Sequence, residues 1–467
     1  YDETRLTDMQ ILCYYAYSPM YTGDLQFRDD NIKGCNPGKL VVETSRHPEN
    51  VDYIPGSWRI TAIDMNNNRQ SLFTYDKLRD ATLEGMTGAT FDDFKGCGEF
   101  NWSPDSSQVV FHCTAAGMAM NDMFNQEEGW RVQELFVAIG DGRRIKRITD
   151  NRSAAATPGN SGIDNFPRWS ADGNRIAFVR QRTPSSTTIY RVFDEVYDEM
   201  YTIRPNGRSL TPMRVDGVGD LQFLADNRRI AFIKGVYYDH FLYTTDDPGS
   251  ETRLVDLKLS GDRLFLSPDR SKIAFVHYVS GSPSAGLSVI NADGSGLQQI
   301  NLLPLPVGPD DELRIIDDPS WSPVSDQLIF SGVKTGAAAS EIYLATIDGS
   351  PVTNLTNDNA SEISPVWSPD GTLIAYYRQS SPGSFEYQLY VMQADGSNPT
   401  NVSNGPVISS RPPQWSQDST RIAFQIKRAQ WKEVCTVSPD GAELVNLTQL
   451  NDRCNNDCTE SVIGWIR

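Results

Sequence analysis

One short unit recurs seven times along the chain, and its internal spacing never changes. An anchor residue, aromatic in six copies and leucine in one, is followed by Ser-Pro-Asp or a close variant. An apolar triplet then begins seven residues after the anchor. The copies read Trp102-Ser103-Pro104-Asp105 with Val109-Val110-Phe111, Trp169-Ser170-Ala171-Asp172 with Ile176-Ala177-Phe178, and Phe223-Leu224-Ala225-Asp226 with Ile230-Ala231-Phe232. They continue as Leu266-Ser267-Pro268-Asp269 with Ile273-Ala274-Phe275, and Trp321-Ser322-Pro323-Val324 with Leu328-Ile329-Phe330. Trp367-Ser368-Pro369-Asp370 with Ile374-Ala375-Tyr376 and Trp415-Ser416-Gln417-Asp418 with Ile422-Ala423-Phe424 complete them. A constant offset of this kind is a register constraint. Two short strands joined by a tight turn cannot slip by one residue without exchanging their buried and exposed faces. Proline presets φ, and Asp or Gly accepts the tight conformation.

A second half-unit follows each triplet. Examples are Leu135-Phe136-Val137-Ala138-Ile139-Gly140-Asp141-Gly142 and Leu389-Tyr390-Val391-Met392-Gln393-Ala394-Asp395-Gly396. An Asx-Gly pair between apolar runs is the strongest short-range hairpin signal. Each repeat therefore reads as four antiparallel strands. Anchors are separated by 43 residues (Phe223 to Leu266) up to 67 (Trp102 to Trp169), the size of a propeller blade. The pattern Trp-Ser-Pro-Asp-Gly…Ile-Ala-Phe…Ile-Tyr…Ala-Asp-Gly-Ser…Leu-Thr resembles the PD40 repeat of TolB-like, WD40-like β-propellers. It covers about residues 37–467.

The resemblance implies an all-β fold, a single propeller of four-stranded antiparallel blades. It is specific for the fold and says little about function, because the family includes adaptors, surface proteins and the propeller halves of some peptidases. The segment Ser461–Arg467, with Ile463 and Trp465, looks like a first blade strand without a continuation. Its missing partners stand at the other end: 40–44, 58–64 and 71–75. A C-terminal strand completing an N-terminal blade makes eight blades, with seven as the alternative, and pairs otherwise open sheet edges.

The 467 residues carry a formal net charge of −18. Nucleic-acid binders need basic surface to displace phosphate counterions, so a nucleic-acid partner is not expected. No apolar run reaches the roughly 20 residues of a membrane span. The chain opens Tyr1-Asp2-Glu3 with no initiator Met, which suggests a processed, exported chain, extracellular or periplasmic. Seven cysteines without a CxxC pair fit disulfides in an oxidising compartment better than zinc. A hairpin turning at 104–107 sets Cys97 nearly opposite Cys113, within disulfide reach. The pairing of Cys13, Cys35, Cys435, Cys454 and Cys458 is left open.

On strand order, the short Ser-Pro-Asp and Asp-Gly turns share one side and the variable connections the other. Long loops at 114–133 (Met118, Met120, Met123, Phe124, Trp130), 181–199 (Tyr190, Phe193, Tyr197) and 303–318 are expected there. Met and aromatic residues in loops on a rigid scaffold suit protein contact. The tail 1–36, with Ile11, Leu12, Tyr14, Tyr15 and Tyr17, is expected to pack on its own propeller or to dock on a neighbour as an added strand.

Catalytic signatures are missing. There is no GxSxG, HExxH or Gly-rich phosphate loop, and the four histidines show no ligand spacing. The resemblance also includes propellers followed by a peptidase domain, which this chain is not expected to carry, and His-rich metal-dependent lyases. No cofactor is expected, with calcium at Asp246-Asp247, Asp310-Asp311 or Asp317-Asp318 as the alternative. The expected function is a non-enzymatic scaffold binding a protein partner or copies of itself, as a periplasmic adaptor or a surface or filament subunit. The alternative is a carbohydrate-active or hydrolytic enzyme with its site at the channel mouth.

Overall fold

The computed structural model describes residues 39–46, 59–63, 69–86, 94–105, 107–121, 126–139, 144–151, 161–183, 197–236, 239–246, 248–260, 263–278, 285–300, 302, 313–334, 336–409, 411–428, 431–447 and 458–466. Antiparallel strands dominate, and the one helix among the described residues is Tyr75–Leu83. The tail 1–36 and its five apolar positions lie outside the described residues, as do Met123, Phe124, Tyr190 and Phe193.

Each repeat folds as a four-stranded unit, named here by its anchor. The Trp367 unit runs Glu362–Trp367, Leu373–Gln379, Tyr387–Gln393 and Thr400–Asn401, each strand paired antiparallel with the next. The turn after each anchor explains the fixed offset. The serine hydroxyl donates to the aspartate two residues on: Ser103 to Asp105 (2.6 Å), Ser170 to Asp172 (2.5 Å), Ser368 to Asp370 (2.6 Å) and Ser416 to Asp418 (2.7 Å). The same oxygen accepts the N–H that opens the next strand, as from Gln108, Arg175, Lys272 and Leu373. In the Trp321 unit, where Val324 replaces the aspartate, Ser322 donates instead to Asp326 at 2.8 Å. The residue four after the anchor is left-handed in the six units where it is described: Gly173, Asn227, Arg270, Ser325, Gly371 and Ser419 all have φ between 56° and 74°. Asn227, Ser325 and Ser419 use that geometry to accept the N–H of the preceding unit's turn residue, Asp172, Asp269 and Asp370.

Alternation along the central strands buries both sheet faces. Ile329 packs with Ile342, Trp367 and Tyr376, while its neighbour Phe330 packs with Trp321, Tyr343 and Leu287 of the other adjoining unit. The triplet's third residue meets a ring directly across the third strand: Phe111–Phe136, Phe178–Tyr201, Phe232–Tyr243, Phe330–Tyr343 and Tyr376–Tyr390, at 5.7–5.9 Å between centroids. Such pairs add about 0.5–1.5 kcal/mol beyond the area they bury. Neighbouring units are also joined by the anchors. The Trp169, Trp321 and Trp415 indoles donate to the carbonyls of Asn101, Phe265 and Val366, each just before the preceding anchor.

The Cys458–Ile466 strand pairs antiparallel with Lys39–Arg46, placing Trp465 opposite Leu40. Lys39–Arg46 pairs in turn with Arg59–Ile63, and that strand with Arg69–Thr74. The composite unit read from the sequence is therefore formed from both ends of the chain.

One register slot, five residues before the anchor and four after the start of the triplet, ties the first strand to the second in several units. Cys97 pairs with Cys113 in that slot as a disulfide, Asp164 with Arg180 and Glu362 with Arg378. Arg180 grips Asp164 with two hydrogen bonds, 2.6 and 2.8 Å, both side chains buried. Cys435 is buried on the third strand of the Trp415 unit, and Cys458 opens the last strand. Because the Cys97–Cys113 bridge closes a separation of 16 residues, Cys97→Ser/Cys113→Ser should cost about 2–4 kcal/mol of unfolding free energy. Reversible denaturant melts of the two proteins measure that difference, and matched midpoints would mean the slot carries no net tension on the unfolded chain.

Candidate interaction arm and the first-strand girdle

The segment 114–133 is not a loop. Its residues continue two fourteen-residue strands, Gln108–Asn121 and Gln126–Ile139, which pair without interruption from Gln108–Ile139 to Asn121–Gln126. Measured from the triplet, the second strand runs five residues further than the longest of its equivalents among the described residues, Ile176–Thr183. At about 3.3 Å per residue this is an arm projecting roughly 16 Å beyond the neighbouring sheets. Met118 stands opposite Gly129, Met120 opposite Glu127 and Trp130 opposite Gly117. The sequence misled here because Thr114-Ala115-Ala116-Gly117-Met118-Ala119 holds few β-branched residues and a glycine, a composition that favours a loop reading. Tyr197 is corrected likewise: it opens the strand Tyr197–Ile203 and pairs with Arg182. Within 303–318, Leu313–Ile315 is a short strand.

The arm is held at its base. Arg131, Val132 and Gln133 pair parallel with Ser161, Gly162 and Ile163 of the next unit. Gln133, fully buried, accepts from Thr114 Oγ1 and donates through its amide to the Asp164 carbonyl and to Asn165 Oδ1. Glu134 beside it, also fully buried, accepts the Asn151 N–H and lies 3.0 Å from Arg147 Nε. The Leu-Thr signature contributes here, since Thr149 Oγ1 accepts the Leu135 N–H; Thr356 and Ser403 do the same for Ile342 and Leu389. A ribbon so anchored keeps its direction relative to two sheets at once.

A second feature runs along the first strands, where carboxylates of one unit take up main-chain N–H groups of the next. Glu99 accepts from Phe166 (2.7 Å), Asp220 from Leu264 (3.0 Å) and Asp317 from Ser364 (2.7 Å). Arg168 faces Asp220 at 3.5 Å, and Arg263 pairs with Asp318. All three carboxylate contacts fall at first-strand bulges, after Gly98 and Asn165 for Glu99 and Phe166, after Val218 for Asp220 and after Ile363 for Ser364. Burial pushes Glu99 up, yet the His112 ring at 3.2 Å and Arg168 hold it below the usual range. Asp220 and Asp317 go the other way, raised by burial. Asp317 and Asp318, weighed above as calcium ligands, are thus engaged by an amide and a guanidinium. No group of three acidic, His or Cys side chains fit for a metal is found among the described residues. His277 is held within its own unit, donating from Nδ1 to the Tyr278 carbonyl and accepting from Ser288 Oγ at Nε2.

Sequence reading missed a third feature, an acidic cluster between the Trp321 and Trp367 units. Arg378 contacts Glu362 (3.0 Å) and Asp358 (2.6 Å), while Glu341 accepts from Thr356 Oγ1 and the Asp358 N–H. Burial, with Asp358 and Glu341 close by, pushes fully buried Glu362 up to about 8; burial also raises Glu341. One guanidinium serves two carboxylates with a third beside them, so the most buried one holds a proton at neutral pH. A carboxyl with a raised folded-state value gives stability that is full below its ordinary value and is lost as pH rises through the folded value. Wild-type Tm should therefore fall relative to Glu362→Gln as pH rises from 4.5 to about 8. Parallel pH profiles of the two proteins would mean that Glu362 is ionised throughout, balanced by Arg378.

Comparisons with known proteins agree with this architecture. Residues 228–457 match the TolB β-propeller domain, PD40. A Protein TolB homolog of Chlorobium luteolum is 26% identical over 216 residues, 44% of this chain and 45% of the relative. Dipeptidyl-peptidase 5 of Porphyromonas gingivalis is 37% identical over 360 residues, 73% of this chain and 46% of the relative. The chain thus spans less than half the length of either. Among solved structures, Porphyromonas gingivalis dipeptidyl peptidase 4 aligns at TM-score 0.49 and 12% identity, covering 86% of this chain and 56% of that one. TolB from Acinetobacter baumannii aligns at TM-score 0.34 and 14% identity, covering 75% and 82%. No helix of the described residues is long and apolar enough to cross a membrane. Residues 228–457 thus carry a match to the TolB-like, PD40 β-propeller domain, and the seven anchored repeats continue the same pattern from Trp102 to Trp415.

Proposed function

We propose that this chain is an exported, non-enzymatic, eight-bladed propeller closed by its last strand, and that it engages a protein partner through the arm at 116–131. The observation that carries the reading is the arm itself: a projecting two-stranded ribbon with Met118, Met120 and Trp130 at its outer pairs, rigidly based on two units. Methionine adapts to a partner surface, and aromatic residues dominate the energetics of such contacts. A relative from Alcanivorax borkumensis, 31% identical over 91 residues (19% of this chain and 20% of the relative), is a Tol-Pal system protein. That likeness supports an adaptor form of the proposal; assembly with copies of itself is the other form. No cofactor is required in either.

A second reading, a hydrolytic enzyme, draws on the dipeptidyl-peptidase relative and on the two first-strand carboxyls raised by burial, Asp220 and Asp317. A buried carboxyl of raised pKa is suited to general acid chemistry.

Joining Ala115 to Val132 through an Asn-Gly turn removes the arm while keeping the last pair of the shortened hairpin. With a photo-crosslinking residue at position 120, the full chain in extract of its source should give a discrete protein adduct. The shortened chain should melt within a few degrees of wild type and lose that partner. Retention of every partner by the shortened chain contradicts the proposal, and turnover of peptide or oligosaccharide substrates by it would favour the enzyme.

A further inference from the structure

The opposite end of the same hairpin opens on a different kind of surface. Where Gln108 pairs with Ile139, the tight turns of the Trp102 and Trp169 units border a cleft of about 760 Å³. Four cations line it, Arg144, Lys146, Arg175 and Arg204, together with the amides of Asn174 and Asn206, and among the described residues the lining includes no Asp or Glu. In a chain of net charge −18 this is a local inversion of sign. One of the four is partly compensated, since Arg175 lies close enough to Asp172 to help hold that carboxyl below its usual range. Lys146 donates to the Asn206 carbonyl at 2.6 Å and Arg175 to the Asn227 carbonyl, neutral acceptors in both cases. Arg144 and Arg204 are exposed and make no ion pair with any described residue. The repeat does not demand these residues: the positions equivalent to Arg204, three before the turn glycine, are the neutral Thr346, Gln393 and Ser438 in the Trp321, Trp367 and Trp415 units.

We propose that this cleft is a binding site for an acidic peptide segment of a partner, held by guanidinium and ammonium contacts to its carboxylates. It goes beyond the arm, from which it is separated by the length of the hairpin, and it stands or falls independently of it. Planar guanidinium groups bind carboxylates in bidentate fashion, and concave surfaces of one sign concentrate ligands of the other. The lining holds no aromatic ring. Stacking on rings is what retains unpaired bases, and sugar faces rely on it in the same way, so a carboxylate-bearing peptide fits this chemistry better than a nucleic acid or an oligosaccharide.

The test uses the full chain and a fluorescent octaglutamate peptide, followed by anisotropy at low ionic strength. Binding should be saturable, should weaken as salt rises, and should fall about tenfold or more in Arg144→Glu/Arg204→Glu, two charge reversals at partly screened positions. A thermal melt of the variant matching wild type ensures that the loss is local, and Arg144→Gln/Arg204→Gln, with an intermediate loss, serves should the reversal disturb folding. No saturable binding, or equal binding by the folded variants, overturns the proposal. Tighter binding of an oligogalacturonate or of single-stranded DNA than of the peptide overturns the choice of ligand.

Discussion

Everything in this fold depends on register, and in six of the seven repeats register is held by a serine hydroxyl. In the Phe223 unit, with Leu224 in that place, Asp226 accepts the Arg228 and Arg229 N–H groups instead. The anchor's following serine donates to an aspartate and accepts the N–H that begins the next strand, so the turn has one length and the triplet one phase. Once the phase is set, Ile, Ala and Phe of the triplet alternate between two neighbouring units, and in five units the third residue meets a ring across the third strand. A slip of one residue would turn every such side chain to the wrong neighbour. The Trp321 unit makes the dependence visible. It lacks the usual aspartate, yet Asp326 reaches the same hydroxyl and the turn keeps its length.

With register fixed, one slot across the first and second strands becomes interchangeable in chemistry. A disulfide, a buried bidentate ion pair and a carboxyl shared among acidic neighbours occupy it in three units. All three tie the same two strands, at very different sensitivity to pH and to reduction. The Cys97–Cys113 unit is also the one that bears the arm, where a covalent tie lies closest to the longest unsupported ribbon. The first-strand carboxylates play a comparable part between units, since each accepts a main-chain N–H of the unit that follows.

Much of this was legible in the sequence because repetition amplifies weak signals. The anchors, the turns, the Cys97–Cys113 pair and the pairing of Trp465 with the N-terminal strand followed from spacing, while Ile463 falls at a bulge of that pairing. What the sequence concealed was whatever occurs once. The arm reads as a loop because Ala, Gly and Met carry little strand preference, and its pairing is decided by register inherited from Gln108 and Ile139. The Glu341–Asp358–Glu362 cluster is assembled from two units, and the cleft cations from three turns, so no local pattern marks either. The helix Tyr75–Leu83 is another singular element, its Leu78 packed with Phe73 and Phe94 beside the Trp102 unit.

The account rests most heavily on both ends of the chain sharing one sheet. Leu40→Cys/Trp465→Cys places a thiol at each member of a register pair some 425 positions apart in sequence. Mild oxidation followed by proteolysis and mass spectrometry reads the outcome directly. A linked peptide containing both positions is the predicted result, and it would show the last strand seated beside the first. Two fully alkylated, unlinked peptides from folded protein would contradict it, leaving the sheets as an open array.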